Sequence, residues 1–491
     1  MATVAMNSAI SGLNAFQTAI NYISDNVANS QTIGFKRIDS NFSSYVSASS
    51  QRFFNPGGAT NRPDFVNALQ GTIIQDASPT SIAIAGAGWL PVEDGATSAS
   101  GFTGNNIRQF TRRGDFSLDQ NSYMVNGAGK YLFARSVPRP TTATPNPQPN
   151  QGALVPVQIN TSQLPALATA NASYAANIPS NAAFGTTFNG GTITITDSNG
   201  AAQPVSVTWY NRTAAGGAYP TFTGGASVGT AANIANINAA ATAGSQWRAV
   251  LTVPTSSTTN GTGGVESLAL DFSFGTTTTT AGLLAGVTVV GSTAGAAGNA
   301  ILSATVTAGT GRVVLSYGAP NLTTPTAQSI NLEFGAPSAT TGQASQLNVA
   351  GGTSHFGGTS ISLSNITADG YSAGSYNGLS IDTNGNIYST YTNGQRLRQF
   401  QLALGTFNNA DGLVRQNGEA FLDSPAAGFI GYQAALTGQA GGINPNALEN
   451  SNTDIGQEFT KMIVAQRSYS ANARIITTAD EMLQEVVNLK R

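Results

Sequence analysis

The side chains best suited to chemistry are few, and their surroundings do not equip them for it. The one histidine, His355, lies in Gly351-Gly-Thr-Ser-His-Phe-Gly-Gly358 with no paired acid nearby. General acid–base work there has no second partner, so a solvated loop is expected. Gly127-Ala-Gly-Lys130 resembles a phosphate cradle, but Met124 stands where its first glycine belongs and Tyr131 replaces the metal-binding hydroxyl residue. A hairpin turn is the better reading. Asp382-Thr-Asn-Gly-Asn386 and Asp197-Ser-Asn-Gly200 open like calcium loops yet lack the distal bidentate glutamate, and turn chemistry accounts for them. Trp89, Trp209 and Trp247 are isolated, which points to packing rather than a sugar platform. With no cysteine there is no thiolate nucleophile, disulfide or cysteine-held zinc. No catalytic, cofactor-binding or metal-ligating residue is nominated, and a non-enzymatic protein is expected.

Composition narrows the class further. Only 9% of the 491 residues are charged, against about 25% in ordinary soluble proteins, so Ser, Thr, Asn, Gln and Gly must cover the surface. A net charge of -2 provides no electrostatic pull toward nucleic acid. No run of 18 apolar residues suggests membrane insertion. Met1 to Ile10 lacks the basic and apolar regions of a cleaved signal peptide.

Two amphipathic elements bracket the chain. Met6, Ile10, Leu13, Phe16, Ile20, Ile23 and Val27 recur at intervals of three or four, which predicts a helix of about 24 residues, roughly 36 Å long. Ile455, Phe459, Met462, Ala465, Tyr469, Ala473, Ile476, Ala479, Leu483, Val486 and Leu489 keep the same stride and predict a second helix of about 38 residues. Ser451 with Asp454 reads as a capping box, and Lys490 and Arg491 stand where the helix dipole favours cations. Such stripes need partners. Either the two helices pair within one chain, or copies share the burial in an oligomer or tube.

Between them the pattern is β. Residues 192–196, 205–210, 247–253, 268–274, 313–317 and 330–334 alternate wholly or partly at period two, and Asn-Gly pairs at 126–127, 199–200, 384–385 and 393–394 mark hairpins. Pro138 to Gln151, with five prolines, reads as a crossing between domains, and the Gly/Ser/Thr-rich stretch 335–360 as its return. Charge divides the same way: 441–491 holds eleven charged residues, whereas 136–390 holds ten in five times the length. The fold expected is multidomain and mainly β, with paired N- and C-terminal helices and β domains nested by insertion. Its divisions are 1–28 plus 449–491 (helical), 29–70 plus 438–448 (connecting), 71–140 plus 361–437 (β domain) and 141–360 (inserted outer β module, in one or two parts). Residues 29–70 make a long stretch for a structureless connection.

The residues following the first helix, Asp25-Asn-Val-Ala-Asn-Ser-Gln-Thr-Ile-Gly-Phe-Lys-Arg37, closely resemble the signature of bacterial flagellar rod and hook proteins, with Asn26, Ala28, Asn29, Thr32, Gly34, Phe35 and Lys36 filling it. Glu449-Asn-Ser-Asn-Thr-Asp-Ile455, Met462-Ile-Val-Ala-Gln-Arg-Ser-Tyr-Ser-Ala-Asn472 and Asp480 to Lys490 are similar to the other end of that family. Ile82 to Trp89, Phe110 to Phe116, and Ala368 through Phe407 also match. Length and the large β insertion are similar to hook-type rather than rod-type members. The resemblance implies a structural, extracellular subunit that leaves the cell through the flagellar export apparatus. It implies polymerisation into a flexible curved tube that carries torque from rod to filament, with the distal rod, the hook cap and the hook-filament junction proteins as partners. Ile10, Leu13, Phe16, Ile20, Ile23, Val27, Ile455, Phe459, Met462, Tyr469, Ile476, Leu483 and Val486 are then the expected helix-packing residues of an inner tube. The alternative is an extracellular surface-layer or adhesin-type β protein, which the Thr/Gly-rich centre would suit.

Overall fold

The computed structural model describes residues 2–50, 53–94, 109–139, 147–150, 154–183, 185–211, 247–254, 265–275, 281–292, 301–306, 310–317, 328–336 and 351–488. Helix α1 (Ala2–Ala28) and helix α2 (Ile455–Asn488) stand at the two ends and pack on each other. Asp454 alone caps α2, its Oδ1 accepting from the Gly456 and Gln457 amides at 2.9 and 3.2 Å. Ser451, the expected partner in a capping box, turns instead to Thr453, because Asp454 already takes the orphan amides of the first turn. Lys490 and Arg491 lie outside the described residues.

The connecting stretch folds into a long hairpin. Strand β1 (Ile38–Ser50) pairs antiparallel with strand β2 (Phe53–Phe65), with bulges near Tyr45 and Val46. Pro56 and Pro63 are tolerated because a two-stranded ribbon has free edges. The ribbon lies on α1: the Asn61 amide donates to the Ala15 carbonyl, the Ala59 amide to Ser11 Oγ, and the Phe16 and Phe42 rings stand 5.1 Å apart.

Beyond the hairpin, both arms of the chain build one β domain. Its large sheet runs in the order 376–381, 386–391, 396–401, 130–136, 90–94, 109–111, 420–422, 414–416. Ile82, Leu90, Val92, Leu132, Ile387 and Leu402 fill its core. The Asn-Gly pairs at 384–385 and 393–394 turn its hairpins with the glycine left-handed at φ +76° and +79°, whereas in the turn after Asn126 the left-handed residue is Gly129 at φ +80° rather than Gly127. Lys130, at the end of the supposed phosphate cradle, is instead paired with Asp94 at 2.6 Å.

The proline-rich stretch is not where the chain leaves this domain. Val155 and Pro156 pair back onto Ala134 and Phe133, and Asn150 and Pro147 bond to Ser136 and Arg398. Proline forbids a donor but not an edge position, so the segment borders the sheet; residues 140–146 and 151–153 lie outside the description. The crossing comes later. Leu164 and Leu167 exchange backbone hydrogen bonds with Gly374 and Tyr371, so the outgoing and returning arms form a narrow two-stranded neck. The expected return, 335–360, is likewise too early: Ser354–Phe356 pairs parallel with Asn171–Pro179 inside the outer module, and 337–350 lie outside the described residues.

The outer module sets a five-stranded antiparallel sheet (187–196, 202–211, 247–254, 265–274, 284–292) against a six-stranded one (301–306, 312–317, 328–333, 171–179, 354–356, 362–368). Both contribute to a single core around Tyr174, Trp209, Trp247, Phe272 and Phe334. His355 is not a solvated loop residue. It sits in the 354–356 strand, half-buried, stacked 5.0 Å from Phe274, and its Nε2 accepts from Trp247 Nε1 at 3.1 Å. Burial lowers its pKa. The flanking glycines suggested a loop, but the parallel neighbour supplies the ladder that orders it.

Tyr174 is the polar keystone of this core: its hydroxyl donates to the Gly190 carbonyl at 2.8 Å and accepts from Trp209 Nε1 at 2.9 Å, fully buried. Tyr174→Phe therefore orphans two buried groups and is expected to cost about 1–3 kcal/mol. The loss should appear in the tryptophan-fluorescence transition of the outer module, with the helical circular-dichroism signal unmoved.

Candidate assembly site

The terminal helices meet along small residues. Among the described side chains of α1 the buried ones are Ala9, Gly12, Ala15, Ala19, Ile23 and Asn26, one face at intervals of three or four. Among the described side chains of α2 the buried ones are Glu458, Ala465 and Ala479. A Cβ at Gly12 would stand 3.1 Å from the Asn472 amide, so the two helices approach closely there. Only short side chains permit such an approach.

That seam sorts the residues expected to pack. Ile23 is buried; Leu13, Phe16, Ile20, Val27, Met462, Ile476 and Leu483 are half-buried. Ile10, Ile455, Phe459 and Tyr469 face outward, 41, 40, 49 and 39% exposed. The Val486 side chain lies outside the described residues. Ile463, Val464, Ile475 and Met482, which the three-to-four stride did not single out, are also exposed. Beside the seam a cavity of about 540 Å³ opens between both helices and the hairpin, lined by Phe16, Ile23, Phe42 and Val464 with Asp39 and Lys461.

The signature residues after α1 form the joint below the helices. Asn26, fully buried, donates to the Ile38 carbonyl at 2.8 Å and to Glu458 Oε2 at 3.0 Å, while its Oδ1 accepts from the Ile38 amide at 2.9 Å. Ala28 is exposed and ends the helix. Asn29 folds back on Asp25, and Thr32 donates to Asn29 Oδ1 at 3.2 Å. Gly34 has φ +72°, and a Cβ there would meet the Arg113 backbone nitrogen at 2.6 Å; only glycine suits both the left-handed turn and the close approach. Phe35 is buried beneath the Arg415 guanidinium, 4.8 Å from the ring centre, and Arg415 also donates to the Lys36 carbonyl.

Lys36 reaches the centre of the joint. Its Nζ donates to Glu449 Oε1 at 2.6 Å and to the Leu69 carbonyl at 2.7 Å; Glu449 Oε1 also accepts from the Gly71 amide at 2.9 Å. Arg112 Nη1 holds Glu449 Oε2 at 3.1 Å, Nη2 donates to the Gly86 carbonyl at 2.7 Å, and the guanidinium lies 5.3 Å from the Trp89 ring centre. The side chains of Lys36, Arg112 and Glu449 are 1, 4 and 0% exposed. A second node links Glu458 Oε1 to Lys461 at 2.8 Å, and Lys461 to Asp39 at 2.6 Å. Asn452 bonds the Arg37 amide and the Val66 and Leu69 carbonyls.

Sequence patterning did not mark Arg112, Glu449, Glu458, Lys461, Asp39 or Asn452 as parts of one site. The available signal was their scarcity, since a charge in a charge-poor chain needs a reason. What it lacked was the fold that brings segments up to 432 positions apart together. Burial lowers the Lys36 pKa from 10.5 to about 8, against the pull of Glu449 and with the help of Arg112. Burial also lowers that of Arg112. Two cations on one carboxylate leave a net buried positive charge, and loss of the Lys36 proton leaves a neutral Arg112–Glu449 pair.

The match to known families falls on these same segments. Residues 6–36 match the model described as flagella basal body rod protein, and residues 444–489 the model described as flagellar basal body rod FlgEFG protein C-terminal. The chain is 27% identical to the flagellar hook protein FlgE of Caulobacter vibrioides, covering 99% of each chain. It is 28% identical to that of Salmonella typhimurium, covering 99% of this chain and 100% of the relative. The FlgE of Borreliella burgdorferi is 38% identical over 26% of this chain and 28% of its own. A crystal structure of Helicobacter pylori flagellar hook protein FlgE2 aligns with TM-score 0.36 at 12% identity, covering 77% of this chain and 100% of the other.

Glu449→Gln strands two buried cations and is expected to cost about 3–5 kcal/mol, whereas Lys36→Met leaves Arg112 and Glu449 paired and should cost distinctly less. Denaturant unfolding followed by the helical circular-dichroism signal checks the order. Between pH 8 and 10.5 the unfolded chain binds the Lys36 proton and the native chain does not. Native stability relative to Lys36→Met should therefore rise with pH across that window, by up to about 3 kcal/mol, and stay level below it.

Proposed function

We propose that this chain, which belongs to the flagellar rod and hook protein family, is the structural subunit of a flagellar hook, polymerising into a curved, flexible tube that passes torque from rod to filament. The observation that carries this is the division of labour on the terminal helices: the small residues are used up within the chain, and a set of large apolar ones is left exposed beside them. Ile10, Phe459, Val464, Tyr469, Ile475 and Met482 are exposed on two helices that already have their intramolecular partner. A second copy can bury them, and each fully buried large side chain contributes roughly 1.5–3 kcal/mol. Homopolymer contacts along an inner helical tube follow from this reading, with the β domains outside it. The distal rod, the cap and the hook-filament junction proteins would meet the two ends of that tube, and the export apparatus would deliver the subunits to the cell exterior.

Bending asks neighbouring outer domains to approach and separate repeatedly. Buried ion pairs between them would resist, because breaking one costs about 3–5 kcal/mol. Supporting the reading, the 362–368 edge strand of the outer module, Ser-Leu-Ser-Asn-Ile-Thr-Ala, is largely exposed and carries no charge. Neutral hydroxyl and amide contacts exchange with water at small net cost.

Phe459→Asp and Ile475→Asp change residues that face solvent in the single chain, so each should leave the monomer melt within about 0.5 kcal/mol of the parent and abolish tubes in electron micrographs. Normal tubes from both variants would sink the inner-tube arrangement. Hook stiffness, measured by tethered rotation, is expected to change little with salt. A steep salt dependence would rule out contacts of this neutral kind.

A further inference from the structure

We propose that His355 is an acid-released stitch: with its ring neutral it holds the 354–356 strand across the seam between the two sheets of the outer module, and protonation frees the strand and opens that end of the core. The strand belongs to both sides. Its backbone pairs parallel with Asn177, Ile178 and Pro179 of the six-stranded sheet, and the Phe356 amide donates to Asn177 Oδ1 at 2.9 Å. Toward the other sheet the His355 amide donates to the Gly282 carbonyl at 2.6 Å, and Ser354 bridges to Leu283, just before the 284–292 strand. The His355 ring completes the crossing, stacked on Phe274 and bonded to Trp247, both from the five-stranded sheet.

One protonation state satisfies this arrangement. An indole N–H only donates, so the 3.1 Å bond from Trp247 Nε1 needs a bare Nε2, and the ring's single proton sits on Nδ1. A second proton has to go on Nε2, where it faces the indole N–H, removes its acceptor and leaves a half-buried charge. The Phe274 face attracts a cation and the Pro179 carbonyl favours one, but neither gives the indole proton a new acceptor. On the strands packed round the ring, 171–179, 247–254, 265–274 and 284–292, the described titratable or charged side chains are Tyr174, Arg248 and Asp271; the Glu266 side chain lies outside the described residues. Tyr174 is committed to Gly190 and Trp209. Arg248 and Asp271 close on each other at 2.7 Å, on the face of their sheet opposite Trp247 and Phe272. None of these supplies a counter-charge to the ring. The closed strand therefore excludes a proton that the released strand takes up, consistent with the lowering of the His355 pKa from 6.5 by burial. Release becomes up to about tenfold easier for each pH unit below 6.5 and is level above it. His355 is the one histidine of the chain, the residue type whose ordinary charge change falls between pH 5 and 8. The stitch holds or fails independently of the hook reading.

With a single histidine, labelling the full chain with ring-nitrogen-15 histidine gives one pair of ring signals. At pH 7.5 a proton on Nδ1 and a bare Nε2 are expected. A proton on Nε2 instead overturns the stitch, as does a ring that titrates at or above 6.5. Release is read by native-state hydrogen exchange of the full chain, corrected for the intrinsic pH dependence of exchange, in peptides covering 353–357, 268–272 and 130–134. Protection of 353–357 should fall about tenfold between pH 7.5 and 5 while the other two keep theirs. No fall in 353–357 overturns the stitch, because the strand then stays closed over a charged ring. An equal fall in 268–272 or 130–134 overturns it in favour of general acid loosening. His355→Gln offers Trp247 a carbonyl acceptor that takes no proton, so it should keep 353–357 protected at both pH values. The parent's pH dependence persisting in His355→Gln would show that the histidine is not its source.

Discussion

Two buried cations sharing one buried carboxylate set the geometry of everything between the helices and the β domain. Lys36 and Arg112 come from segments that have no reason to meet in sequence, and Glu449 comes from near the other end of the chain. Removing three charges from water is tolerable only when their positions match closely and the remaining valences are filled. The Leu69, Gly86 and Ile84 carbonyls and the Gly71 amide fill most of them, and the buried Arg112 Nε is left without a partner. The direction in which α1 leaves its last turn, the left-handed step at Gly34, and the pairing of 447–449 with 73–75 follow as conditions for that match. The helix pair is consequently mounted on the β domain through a stiff polar joint rather than a slack tether.

Above and below that joint the molecule uses different surfaces for different tasks. The helices keep their short residues for each other and leave Ile10, Phe459, Val464, Tyr469, Ile475 and Met482 exposed, the surface that the proposed contacts between copies would use. The outer module completes its own core across two sheets and is joined to the rest through the neck at 164–167 and 371–374. A module with a finished interior and few charges can keep its shape while neighbours slide past it. The scarcity of charge is thus uneven in purpose: Lys36, Glu449 and Glu458 are buried and directional in the joint, while Arg467, Arg474, Asp480, Glu481 and Glu485 stay exposed along α2.

Much of the layout could be read from residue types alone, wherever a local rule was strong. The three-to-four stride located both helices, period-two runs located strands of the outer module such as 205–210 and 268–274, and Asn-Gly pairs located their turns. Rules based on composition did less well. Prolines in 138–151 precede a border strand at 155–156 rather than marking the crossing, and glycines around His355 hid a strand whose ladder comes from residues 171–179. The signature residues Asn26, Gly34, Phe35 and Lys36 were identifiable, but what they touch was not.

The difference has a physical origin. Helix periodicity, turn conformation and the exclusion of cysteine or multi-histidine chemistry depend on neighbours within a few positions, so the chain's order of residues determines them by itself. Which stripe of α1 is buried depends on how closely a second helix can approach, and that distance is set by Gly12, Ala15 and Ala19 against Ala465 and Asn472 across the seam. Whether Lys36 is a solvated surface charge or a buried one depends on a carboxylate 413 positions away. Packing distance and desolvation are properties of the assembled volume, and only the tertiary structure decides them.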